Sequence, residues 1–321
     1  MRTTIVRFSV ALLSIVLVLG TGTAQASVQI RTVVSFDPAE GSFPEGVAAD
    51  VRGDLYVSRT GPLNEILRVT PDGTTSVVAH FDVGGFGPLG MAVDSSGRLY
   101  AAVASFDPAT RGIYRVWPDG RTARLPGTQR ILFPNGLTID HDGTIYATDT
   151  IRGAVFRILP GGRAKVWVKS PLLLGNGSFG FGFPIGANGV EISPARELVV
   201  SNTEGASVVT VGIARDGSPR TPQVLAEGPE LFGADGVALD VFGRTYVAVN
   251  MQDTLLRIDR NGSVTTLATA ADGLNSPASL SFGTSHGQRM ELFITNFAMF
   301  SSTPHPAVLE AEVGAPGLPV G

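Results

Sequence analysis

Four side chains that carry oxygen stand immediately before a glycine: Glu45 in FPEGV, Asn135 in FPNGL, Asn188 in GANGV and Asp235 in GADGV. Two carboxylates and two amide oxygens, brought to one point, make a site for a hard cation. Ca²⁺ takes six to eight oxygen ligands, so water or substrate would complete the shell. Zn²⁺ prefers His and Cys, which occur at none of these positions, whereas Mg²⁺ and Mn²⁺ share the oxygen preference. A plain turn would also explain any single Asx-Gly or Glu-Gly pair, because such pairs start strands and close bends. The metal reading therefore rests on the four positions sharing one register.

That register comes from an internal repeat. FPEGVAADVRGDLYVSRT, GPLGMAVDSSGRLYAAVA, FPNGLTIDHDGTIYATDT, GANGVEISPARELVVSNT and GADGVALDVFGRTYVAVN align along their length. SPASLSFGTSHGQRMELFITNF is a degenerate sixth copy. The anchoring positions Gly46, Gly90, Gly136, Gly189, Gly236 and Ser279 are 44, 46, 53, 47 and 43 residues apart. A period in the forties with several short strands per unit predicts a β-propeller. In each unit an apolar strand runs into a tight turn, D-x-x-G in four copies, followed by a second strand. A third strand and a fourth follow across a Pro/Asp/Asn-Gly hairpin such as VTPDG or IDRNG. The expected fold is all-β: a six-bladed propeller with four antiparallel strands per blade. The first strand of a blade is innermost, so the residue before each glycine faces the central channel. Leu89 and Ala278 hold that place in units two and six. The sixth unit lacks an outermost strand of its own, and VQIRTVVSF (Val28 to Phe36) is expected to supply it and close the ring.

The composition agrees. Of 321 residues, 40 are Gly and only 16% are charged, which suits short strands joined by tight turns. A net charge of −4 without a basic run argues against nucleic acid or an anionic membrane as partner. Residues 1–26 have the order of a secretory signal: two arginines, the apolar run FSVALLSIVLVLG, then an Ala24-Gln25-Ala26 cleavage site. The run is short for a membrane span, and no Cys follows it to carry a lipid. An exported product, secreted or periplasmic, is expected, with residues 27–321 as a single propeller domain. With no Cys anywhere, that domain is held by burial alone.

With this repeat and these four positions, the chain over about residues 28–313 resembles the SMP-30/gluconolactonase/LRE-like propellers, and more distantly the paraoxonase-like lactonases. The resemblance implies a catalytic divalent metal, usually Ca²⁺, held by a Glu from blade one, Asn from blades three and four and Asp from blade five. Glu45, Asn135, Asn188 and Asp235 match that set in order. It further implies a metal-dependent lactonase or esterase acting on a small molecule, with Asp235 as base, nucleophile or holder of the attacking water. The rival reading is a non-catalytic propeller, similar to NHL-repeat proteins, that binds a ligand or protein partner. No equivalents of the family's sugar-binding Arg and Glu are found. Arg59 is either a ligand-binding group at the channel or a surface residue, and Asn202 and Asn250 are either groups behind the metal ligands or turn caps. The stretch SPLLLGNGSFGFGFPIGANG lengthens the spacing before Asn188 and reads as a mobile apolar lid or a packed insertion. The four histidines, His80, His141, His286 and His305, fall outside the channel register, and no G-x-S-x-G elbow is present.

Overall fold

The computed structural model describes residues 28–319, in which 24 strands form six four-stranded antiparallel sheets. The signal assigned to residues 1–26 lies outside the described residues. In blades one to five the chain runs from the inner strand outward in sequence order. The inner strands are Phe43–Ala49, Gly87–Val93, Pro134–Ile139, Ala187–Ile192 and Ala234–Leu239. Blade six starts at Pro277–Phe282, continues through Glu291–Asn296 and Ala307–Glu312, and takes its outermost strand, Ile30–Ser35, from the other end of the chain. Ile30 pairs with Ala311 and Ser35 with Ala307. The predicted six-bladed fold and its closure by the N-terminal strand are both found. Inner strands of neighbouring blades pack side by side all round the ring, blade six against blade one included.

Alternation along each strand sends one set of side chains to each face of its sheet, so hydrophobic clusters form between blades. Among the described residues six such clusters are each shared by two neighbours, and a smaller seventh gathers Leu89, Ala104 and Phe133. Tyr146, Val155 and Trp167 of blade three pack with Leu198 and Val209 of blade four, for example, and Leu55 and Val57 of blade one with Phe293 and Val308 of blade six. The D-x-x-G turns close one face of the ring. Asp50 Oδ1 accepts from the backbone N–H groups of Arg52 and Asp54, and Gly53 takes a positive φ of 89°. Asp94 and Asp240 make the equivalent bonds. On this face Leu318 and Pro319 line the channel, with Leu318 N–H donating to Leu239 O. The opposite face carries the loops that lead into the inner strands.

Candidate metal centre

Each inner strand loses register with its neighbour across the two residues that include the anchoring position. The ladder breaks between Pro44 and Val47, Pro88 and Met91, Pro134 and Leu137, Ala187 and Val190, Ala234 and Val237, and Pro277 and Leu280. Such a bulge frees a residue from the alternation and re-aims its side chain. Glu45, Asn135, Asn188 and Asp235 are the residues so freed, each about 5–7% exposed. Leu89 and Ala278, the apolar counterparts, are buried there too.

The glycine beside each of them is required by the neighbouring blade. A Cβ on Gly46 would stand 2.3 Å from Leu89 O, one on Gly90 2.5 Å from Asn135 O, and one on Gly136 2.4 Å from Asn188 O. Gly189 meets Asp235 O at 2.5 Å in the same way. Blades one to five thus each rest a glycine on the carbonyl of the next blade's channel residue, Gly236 on Ala278 O included. A hydroxyl on the second strand completes the joint. Thr148 Oγ1 accepts from Gly136 N–H and donates to Asn188 O at 2.7 Å. Ser58 does the same between Gly46 and Leu89, and Thr295 between Ser279 and Glu45, while Ser201 donates to Asp235 O. Three of the four proposed ligands, Glu45, Asn188 and Asp235, are therefore pinned through their carbonyls from the preceding blade. Sequence reading passed over these hydroxyls, although Ser58, Thr148, Ser201 and Thr295 occupy one aligned position of the second strands.

The side chains converge electrostatically. Burial holds the Glu45 carboxyl well above the usual carboxylate range, and the neighbouring Asp235 pushes it the same way. Asp235 is itself raised by burial to about 7, against the opposing effect of donors on Asn250 and Asn188. Asn250 Nδ2 donates to Asp235 Oδ2 at 2.7 Å, and Asn188 Nδ2 to Thr203 Oγ1 at 3.0 Å. Asn135 occupies the equivalent bulge of blade three. Glu45 Oε2 is buried with no hydrogen-bond partner among the described residues. Two desolvated carboxylates with one orphaned oxygen and no cationic side chain against them match what a divalent cation requires. Among the described residues no three His, Cys, Asp or Glu side chains are grouped so that they could hold a metal ion; the candidate set has two carboxylates and two amides.

The other candidates separate. Asn250 stands behind Asp235 and orients it. Asn202 donates to Leu172 O and Leu174 O and so ties down the segment before blade four. Arg59 is in neither expected place: it is buried, paired with Glu65 and Glu40, and packed over the ring of Phe36. The insertion before blade four is tied down by Glu204, which accepts from Gly177 N–H at 2.5 Å and Phe179 N–H at 3.0 Å, while most of residues 171–182 are exposed. All four histidines are exposed. Beyond the glycines, toward the face of the D-x-x-G turns, the channel holds a cavity of ≈ 160 Å³ lined by Glu191, Thr138, Ser281 and Leu318 among others. Glu191 accepts from Thr138 Oγ1 and Ile192 N–H, and burial raises its pKa.

Solved structures share this architecture over nearly the whole chain. A protein provisionally named a gluconolactonase superposes with a TM-score of 0.69 at 18% identity, over 92% of this chain and 95% of the other. The Xanthomonas campestris gluconolactonase gives 0.64 at 20% identity, over 91% of each chain. The shared fold is the six-bladed propeller. The luciferin-regenerating enzyme has it as well, with a TM-score of 0.66 at 14% identity over 89% of this chain and 98% of that one. These neighbours are of the kind the repeat resembles. No protein-family model matches the chain, and no curated protein matches it in sequence.

Proposed function

We propose that the protein is an exported hydrolase of lactones or related esters, working with a divalent cation, Ca²⁺ by preference, between Glu45, Asn135, Asn188 and Asp235. One observation carries the reading: two buried carboxylates share the channel with no positive charge to balance them, and one oxygen of Glu45 has no partner. The lactonase part is supported by the gluconolactonases among the structural neighbours.

A Ca²⁺ ion held there would polarise the substrate carbonyl and stabilise the negative charge that develops on its oxygen. The chain's own contribution is placement. Asn250 donates to Oδ2 of Asp235 and so orients the carboxylate that would take a proton from an attacking water. Glu45 supplies the second negative charge. The amides of Asn135 and Asn188 offer oxygens without adding charge, so the site stays near neutrality when loaded. Pinning three of the four backbones from the preceding blades keeps these atoms in place through turnover.

Metal analysis of the purified protein, followed by a lactone panel with and without EDTA, tests the proposal. Bound Ca²⁺ and chelator-sensitive hydrolysis are expected. A metal-free protein whose calcium affinity is unchanged in Asp235→Ala would remove the site, and failure to open any aliphatic, sugar or aromatic lactone would turn the reading to a ligand-binding propeller. Export is tested by the N-terminus of the secreted product, expected at Ser27.

A further inference from the structure

Ten phenylalanines form one connected network of ring contacts on the face of the propeller that leads into the inner strands. They come from all six blades. Phe133 lies two residues before Asn135, immediately ahead of the strand Pro134–Ile139 that carries the proposed ligand. The insertion before blade four brings Phe181 and Phe183. Phe183 meets Phe106, from the loop after the second strand of blade two, at 5.4 Å between centroids. Phe181 meets Phe300, from the corresponding loop of blade six, at 6.2 Å. Blades two, four and six alternate around the ring, so these contacts reach past the intervening blades and cross the channel mouth.

The rings are not merely core. Phe106, Phe181 and Phe300 are 55%, 44% and 45% exposed, an unusual display for three linked aromatics. Several polar side chains at the same end are committed elsewhere, while Thr60 Oγ1 and Asn250 Oδ1 are buried without a partner among the described residues. Arg59 is paired with two glutamates, Glu204 and Asn202 hold the insertion, and Asn296 bonds Asn275 N–H and Gly273 O. A polyhydroxylated ligand would find few free partners there. A site with apolar walls and a few convergent polar atoms at its floor is built for a mostly apolar small molecule.

Resting on the hydrolase reading above, we propose that the substrate is a lactone or ester bearing an alkyl chain or aromatic ring, which packs among these phenylalanines while its carbonyl reaches the four polar side chains. A series of alkyl-substituted δ-lactams, which resist hydrolysis, tests this by calorimetry on the calcium-loaded protein. Affinity should rise about fourfold per methylene until the rim is filled. The slope should flatten in a Phe181→Ser/Phe300→Ser double variant that keeps the parent's thermal midpoint. A flat series, or tighter binding of a polyhydroxylated lactam, would overturn the inference. So would a flat series combined with partition onto phosphatidylcholine vesicles that depends on Phe300, which would assign the rim to a lipid surface. Hydrolysis of the matching lactones reports separately. Chain-dependent lactam binding without turnover sinks the hydrolase and leaves the apolar ligand, whereas turnover indifferent to chain length does the reverse.

Discussion

At the scale of single residues, Asp235 and Asn250 form the unit on which the proposed chemistry depends. Asn250→Ala removes the donor that fixes Asp235 Oδ2 and should weaken calcium binding or activity by roughly 10- to 100-fold, read by titration calorimetry and kcat/KM. An unaltered affinity would show that Asp235 needs no orientation. Glu191 offers a test away from the four ligands. Its folded pKa is raised by burial above that of the unfolded chain. Its contribution to stability is therefore full below the unfolded value and is lost as pH rises through the folded value. Glu191→Gln can keep the bonds from Thr138 and Ile192 without the charge. Thermal melts should place the variant above the parent at about pH 7.5 and level with it near pH 4.

At the scale of elements, the bulge and the hydroxyl joint explain why a four-strand blade can present one chosen side chain to an axis. Thr148→Val and Ser58→Ala each unmake a buried joint and should each cost roughly 1–3 kcal/mol in denaturant melts. Thr148→Val should weaken calcium binding the more, since it loosens the peptides of two ligands, Asn135 and Asn188, whereas Ser58 holds the peptide of one, Glu45, and otherwise that of Leu89. Equal effects of both on metal affinity would mean that the joints act only through stability. The blade pattern was legible in the sequence because turn chemistry and strand alternation are local, and both recur in each copy. The channel register was legible for the same reason. What escaped was set by contacts between blades. The carbonyl that each glycine supports lies in the next copy, forty or more residues away. Arg59 is drawn from the channel by Glu65 on the third strand and Glu40 before the first. The phenylalanine rim has no period at all, because its members sit in loops of unequal length that meet only once the ring is closed.

For the whole molecule, the ring depends on its last joint. Removing residues 28–35 takes away the ladder from Ile30 to Ser35 and the partly buried Ile30, Val33 and Val34. A loss of about 3–5 kcal/mol is expected in chemical denaturation, counting roughly a kilocalorie per half-buried side chain and the ladder besides. Recovery on adding the strand as a peptide would confirm that the edge, and not misfolding elsewhere, is at fault. Calcium should act on the same global transition. At a hundred times its Kd the ion adds about 2.7 kcal/mol to unfolding, so EDTA should lower the thermal midpoint of the parent and leave Asp235→Ala unmoved. The shared sixth blade also has a consequence in time. Among the described strands its outermost one, Ile30–Ser35, is made before all others and its partner, Ala307–Glu312, after all others, so a chain emerging from the ribosome cannot complete the ring until every blade has been made. Pairing across so long a separation makes for slow closure. Until then the growing polypeptide keeps one sheet unfinished, the condition in which it can still be threaded through a narrow passage.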